Sequence, residues 1–448
     1  MKYAIVGSLT ALLAGAGLAL AQPPAESLPA PRNYGGGGSE VPADQATPGV
    51  SLLPGPGMHG PEVGDGAAPG LIPAVAIDGV PYHCWVEGDY LHWWLKENRF
   101  PALLTTSPTT SLGILGRPGT TILVGNNDLD RTDRNGAQLT LGGWITDYHG
   151  FGLEGSFFYL EGISRSFSVP GTAAAGTVVS RPFFNLLTGQ EAAVPVSVPT
   201  ILSTTTGTSA GTTAGINCDN GRFQGAEVHF LSNICYDADC RLDFLIGYRY
   251  LSLNDHFAMQ QTTLVSPTPL GSIVGVTSSA NTVTDRFDSS NHFNGGQIGL
   301  RGEWRYDRWS LRGTARVSFG ANDVGSSAFG QTVAFAAGAA PITIPAGFLV
   351  TNANSGAFHN ENFSIVPEVG ATLGFQVCDW MKLTAGYSFL YWSNVVRTGD
   401  QVPHAINPLA VPSLSGLVQS SAAGQPLANI RCTDFWAQGI SAGLELRF

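Results

Sequence analysis

The sequence predicts an all-β fold: an antiparallel transmembrane β-barrel of about ten strands (eight to twelve are admissible), with short periplasmic turns and long extracellular loops. Three observations predict it. Segments of period-two alternation recur from Cys84 to Phe448, the connections between them alternate between short and long, and aromatic residues gather at the segment ends. Composition agrees, since only 12% of the 448 residues are charged while the chain holds 57 Gly, 23 Phe, 12 Tyr and 9 Trp. A soluble domain carries about 25% charge. So much apolar surface demands burial, which argues against general disorder. A formal net charge of −11, thinly spread, excludes a nucleic-acid binder, which needs a basic face.

The N-terminal segment Met1–Ala21, MKYAIVGSLTALLAGAGLALA, sets one lysine before a short apolar run and ends in small residues. That layout predicts a secretory signal peptide cut near Gln22, and hence a mature protein outside the cytoplasm. No later stretch holds the ~18–20 apolar residues of a spanning helix. Residues 22–81 are rich in Pro, Gly and Ala, with GGGGS at Gly35–Ser39, and read as a disordered linker in which His59 is solvated. The barrel domain is expected over 82–448.

Ten alternating segments follow, at about Trp85–Lys96, Gly136–Thr146, Phe151–Gly162, Arg222–Asn233, Cys240–Ser252, His292–Trp304, Trp309–Gly320, Phe363–Val377, Met381–Asn394 and Phe435–Phe448. The clearest, Trp309–Phe319, puts Trp309, Leu311, Ala315, Val317 and Phe319 on one face and Arg312, Thr314, Arg316 and Ser318 on the other. Each is long enough for a tilted membrane strand of about 9–11 residues. Short connections (Asp147–Gly150, Ile234–Asp239, Arg305–Arg308, Cys378–Asp379) alternate with long ones at about Glu97–Asn135, Ile163–Gly221, Leu253–Asn291, Ala321–Asn362 and Val395–Asp434. Trp85, Tyr148, Phe151, Tyr236, Trp304, Trp309 and Trp380 fall at the short-turn ends, and Phe257, Phe319, Tyr391, Trp392, Phe435 and Trp436 near the other ends. They read as two interfacial belts.

Several stretches carry a family resemblance. They are WVEGDYLHWWLK (Trp85–Lys96), NGAQLTLGGWITDYHGFGLEGSFFYLE (Asn135–Glu161), DRFDSSNHFNGGQIGLRGEW (Asp285–Trp304) and Val366–Val402, followed by Asn407-Pro408. Together they resemble the seventh family of putative beta-barrel porins over about Cys84–Phe448. The resemblance implies a bacterial outer-membrane barrel and supplies no catalytic or ligand residue. The final strand ends LELRF, and Leu444, Leu446 and Phe448 resemble the signal that barrel-assembly machinery recognises in outer-membrane proteins.

With the polar face turned inward, the lumen receives the acids Glu154, Glu227, Asp243, Glu303, Glu368 and Glu445, with Glu87 and Asp89 from the first strand. The bases facing them are Arg241, Arg249, Arg301, Arg312, Arg316, Lys382 and Arg447. About eight strands leave an interior just filled by side chains, so ten predict a narrow or filled lumen in which these charges pair.

Three functional readings follow. The first is a porin-like outer-membrane barrel, passing small solutes narrowly or not at all. The second is a structural or adhesion protein anchored by its barrel, with Ser/Thr/Gly-rich loops such as Thr204–Gly215 meeting surface partners. The third is a hydrolase using Asp255, His256, Asp285, Asp288 and His292 at the outer mouth for general-base chemistry. No motif supports the third, and no enzyme activity is expected. No cofactor and no metal site is expected either: Asp128, Asp130 and Asp133 lack an EF-hand pattern. Membrane lipid and the assembly machinery are the expected partners. Among six cysteines, Cys235 with Cys240 flank one turn and are the easiest disulfide. Cys84 with Cys378 is a second candidate, because the last strands neighbour the first around a closed barrel. Cys218 with Cys432 would bridge two loops.

Overall fold

The structure, a computed structural model, describes residues 83–126, 129, 132–146, 149–169, 173–197, 213–237, 239–265, 279–336, 340–415 and 430–448. The expected signal peptide and linker lie outside these residues, as do His59, Asp128, Asp130, Tyr148 and most of Thr204–Gly215.

Period-two alternation gives strands throughout. They are β1 (Cys84–Leu95), β2 (Phe100–Pro108), β3 (Thr121–Asn126), β4 (Asp133–Trp144), β5 (Phe151–Leu160), β6 (Ile163–Val169), β7 (Thr177–Asn185), β8 (Gln190–Ser197) and β9 (Thr213–Asn220), then β10 (Phe223–Tyr236), β11 (Cys240–Val265), β12 (Ser279–Tyr306), β13 (Trp309–Ala336), β14 (Ile342–Ile344), β15 (Gly356–Cys378), β16 (Met381–Val396), β17 (Ala405–Ile406) and β18 (Cys432–Arg447). Ten of them close a ring in the order β1-β4-β5-β10-β11-β12-β13-β15-β16-β18, with β18 pairing back to β1. All these pairings are antiparallel. Closure leaves the ring no open edge, the condition a strand protein must meet in lipid. A two-residue connection, Asp307-Arg308, turns with Asp307 at φ 53°, the positive φ that such a hairpin needs.

The outward side chains form an apolar band. Phe230 on β10, Phe244 and Ile246 on β11, Leu300 on β12, Leu311 on β13 and Leu383 on β16 are all exposed there. From Leu311 to Ala321 the band rises roughly 25 Å once strand tilt is allowed for, the height of a hydrocarbon core. Phe151, Trp304, Trp309 and Trp380 stand exposed at the short-turn rim, and Leu444 and Phe448 also face outward.

Three expectations need correction. First, β11, β12, β13 and β15 run on well past their expected ends, so part of each long loop is strand. Above the lipid nothing demands apolar outward residues, so the membrane signal stops while the ladder continues. Second, Trp85, Phe257, Trp392 and Phe435 are not in the belts; all four point inward and are buried. Third, Cys84, Cys235, Cys240 and Cys378 are unbonded thiols. Cys235 lies opposite Leu242, making Cys240 only its diagonal neighbour, at about 7–8 Å and past the usual disulfide span. Cys378 ends β15, three strands from β1, a separation of roughly 14 Å.

At the long-loop end a small second sheet forms from β3, β2, β7 and β8, with β17 pairing parallel to β7. Its Leu104 and Phe183 pack with Phe257, Phe287, Phe348 and Val350 in a separate apolar cluster.

The apolar band sets a test. Ile246→Arg, at mid-height on the lipid face, should cost about 2–4 kcal/mol of stability in a bilayer. The same change at His256, above the band, should cost well under 1 kcal/mol. Urea unfolding in lipid vesicles reads both, and equal effects would contradict the placement of the band.

Candidate functional site: the barrel lumen

Glycine and serine on the inner faces leave room for long charged side chains, and the structure fills that room in layers. The fifteen charged residues expected to line the lumen lie on the inner face, and all but Asp89 have an opposite-charge partner.

Nearest the short turns, Arg447 Nε donates to Glu445 Oε1 at 2.6 Å, and Lys382 Nζ lies 3.2 Å from Glu445 and 3.6 Å from Glu303. Arg241 Nε pairs with Asp243 at 2.8 Å while its guanidinium sits 3.9 Å over the Trp144 ring. Trp85 packs at a tilt against Trp144, 5.3 Å between ring centroids, and donates from Nε1 to Glu154 at 3.2 Å. The indole fits because residue 142 is glycine; a Cβ there would stand 2.1 Å from the Trp85 ring. One level up, Arg301 holds Glu154 in a fork at 2.9 and 2.5 Å, and Arg312 joins Glu87 at 2.9 Å to Glu445 at 2.5 Å. Arg316 bridges Glu227 and Glu368, and Arg249 also bonds Glu368. Asp89 accepts from Thr384 Oγ1 at 3.2 Å. The spaces left in these layers are small, about 40 Å³ and about 100 Å³.

Above the charges the inner face turns apolar. Trp93, Phe158, Phe223, Phe293, Trp392 and Phe435 meet across the lumen, with centroids from 5.1 Å (Phe158–Phe223) to 6.3 Å (Trp392–Phe435). Gly225 makes this approach feasible, since a Cβ there would stand 2.4 Å from the Phe158 ring. Sequence reasoning missed this layer, although Leu251 and Leu253 on the polar face of β11 and Leu160 on that of β5 signalled it.

The long-loop end is tied down by buried polar anchors. The segment after β16 turns into the mouth, where Asn291 on β12 pairs with the Val396 backbone both ways, at 2.8 and 2.7 Å. Arg397 Nε then bonds Asp255 at 2.6 Å. Asp285 accepts from the successive backbone N–H groups of Phe348, Leu349 and Val350 at 2.8–2.9 Å, and Arg181 from β7 closes on its other oxygen at 3.0 Å.

These contacts also divide the residues considered for hydrolysis. Strand alternation sends Asp255 and Asp285 inward, where both are consumed as anchors, and leaves His256, Asp288 and His292 on the outer wall. There Asp288 accepts from Arg286, His256 and Ser327, and His292 meets Tyr250. Burial raises the Asp288 carboxyl, but its hydrogen bonds from Arg286 and His256 outweigh this and hold it below the ordinary carboxylate range. The five therefore form no single constellation. Among the described residues no group of three or more His, Cys, Asp or Glu is placed to hold a metal ion.

The braces set a second test. Arg316→Met leaves Glu227 and Glu368 short of a cation in a nearly dry space, and should cost about 3–5 kcal/mol of stability. Adding Glu368→Gln should return part of it, because the orphaned charge goes with it. Unfolding of both variants in vesicles checks this; a double variant no better than the single would contradict the brace.

Comparison with solved structures finds low likeness. The outer membrane protease OmpT from Escherichia coli is 9% identical, with 82% of this chain and 97% of that chain covered and a TM-score of 0.36. The P. putida toluene transporter TodX is 7% identical, with 82% and 91% covered and a TM-score of 0.22. A Pseudomonas aeruginosa FadL homologue is 9% identical, with 83% and 91% covered and a TM-score of 0.21. No curated protein matches the chain. The model of one family, described as Putative beta barrel porin-7, matches residues 85–448, the whole ring of ten strands but for its first residue. The chain belongs to that family.

Proposed function

We propose that the protein works as a closed outer-membrane barrel: a porin-type wall, sealed in the form described, that carries a folded crown of loop segments at the cell surface. One observation carries this reading. The lumen is obstructed in series, by cross-braced ion pairs, by the aromatic layer and by the anchored segment after β16, and the charged layers hold spaces of only about 40 Å³ and about 100 Å³. Ten strands enclose little more than their own side chains, and wide aqueous channels need about sixteen.

In this reading the long loops face the exterior and the protein performs no chemistry. Its partners are the lipid around its apolar band and the assembly machinery that reads the outward Leu444 and Phe448. Small solutes cross only if the segment after β16 leaves the mouth and the rings part, and the bonds from Asn291 and Arg397 oppose the first of these steps.

Planar-bilayer recording of protein purified from membranes tests the proposal. Wild type should be silent, whereas Trp392→Ala with Phe435→Ala, which removes two rings from the seal, should show discrete current steps. Steady steps from wild type, abolished by neutralising Arg312 and Arg316, would overturn the closed reading in favour of a charged pore.

A further inference from the structure

The outer wall above the apolar band carries a groove that the sealed lumen leaves unused. Its floor is two adjacent outward rungs of the barrel ladder. Asn254, Ser290, Gly325 and His359 are register partners across β11, β12, β13 and β15. Asp219, His256, Asp288 and Ser327 form the next rung, from β9 to β13. Gly325 hollows the middle: a Cβ there would stand 2.6 Å from Ser290 Oγ and 3.2 Å from the His359 ring. To the side, β5 gives way to β6 and β9 to β10 at Gly162 and Gly221, and the concavity so framed has a volume of about 950 Å³.

Its height identifies what reaches it. The last apolar rung holds Tyr250 and Phe363, and the floor rungs lie four and six residues further along the strands. With tilt, that is roughly 10–15 Å above the hydrocarbon. A phospholipid headgroup layer is only about 5–8 Å deep, so it stops short. The groove is nonetheless continuous with the lipid-facing wall, because Tyr159 both ends the apolar row on β5 and lines the groove.

Its chemistry suits hydroxyl groups. The side chains of Asp219, His359 and Arg222 line it without a hydrogen bond or ion pair among the described residues, while Asp288 is fixed by Arg286, His256 and Ser327. Free carboxylate, imidazole and guanidinium groups beside Asn254 and Ser290 offer acceptors and donors at polyol spacing, next to an aromatic ring. We propose that this groove holds the sugar headgroup of an outer-leaflet glycolipid whose acyl chains lie against the barrel. The inference rests on the membrane orientation proposed above.

The test reconstitutes the full-length protein into phosphatidylethanolamine–phosphatidylglycerol vesicles doped with a rough-type lipopolysaccharide, lipid A with core sugars. Lipid retained after detergent extraction is counted by native mass spectrometry. Wild type should retain the glycolipid over phospholipid. Asp219→Asn with His359→Ala should lower retention about tenfold through lost charge-assisted hydrogen bonds, and Gly325→Leu should do the same by filling the hollow. Gln260→Ala, elsewhere on the outer wall, should leave it unchanged. Undiminished retention in both groove variants would overturn the proposal, as would equal retention of lipid A lacking sugars. Equally tight binding of free core oligosaccharide would overturn the lipid as its source. Heat-modifiable gel mobility reports barrel formation in every variant; its absence from wild type would sink the membrane reading itself, separately from the groove.

Discussion

Hydrocarbon against the outer wall is the constraint on which the rest depends. Each membrane strand must turn its apolar face outward, so its polar face goes into a lumen that ten strands make too narrow for bulk water. Charges there have no solvent to fall back on and must find one another. They do so across the lumen as well as along the wall: Arg312 on β13 reaches Glu87 on β1, and Arg301 on β12 reaches Glu154 on β5. Such pairs join strands that are not ladder neighbours. They brace the ring from within, where hydrogen bonds between adjacent strands fix only local distances.

The same constraint explains why the strands change character partway up. Below Tyr250 on β11, Phe244, Ile246 and Tyr248 point outward and Asp243 and Arg249 inward. Above it the phase holds but the polarity of the faces inverts, with Leu251, Leu253, Phe257 and Met259 inward and Asn254, His256 and Gln260 outward. β12 inverts likewise between Ile298 and Phe293. The ladder continues without a break, and only the surroundings change. In lipid the barrel is apolar outside and polar within; in water it is built as soluble proteins are, around an apolar core. The inversion also sets a layer of rings across the lumen, since the first apolar inward residues meet there.

How much of this is legible in the sequence follows from that boundary. The ten membrane strands, their facing and the fifteen lumen charges are readable because lipid imposes a strong, regular pattern on each segment. Phe257, Trp392 and Phe435 misled because an aromatic near a strand end reads equally well as belt or plug. Deciding requires counting the alternation through the boundary, where its meaning reverses. Asp255 and His256 stand side by side in the sequence and on opposite faces of the wall, so proximity along the chain suggested a shared site that alternation forbids. Pairings such as Arg397 with Asp255 join residues 142 positions apart, and no local pattern announces them.

In the closed form proposed above, the anchors at the long-loop end would make closure a built-in feature rather than an incidental one. A loop lying loosely over the mouth would need no buried charge to hold it. Here Asp285 spends one oxygen on three successive backbone amides and the other on Arg181, fastening the segment around Phe348 and the second sheet to one barrel strand. Removing either partner strands a charge in an apolar cluster, so the arrangement is stable only when complete. The wall is thus braced by ion pairs below and fastened by such anchors above. What remains accessible is the outer surface, where the extended strands present polar rungs to whatever surrounds the barrel.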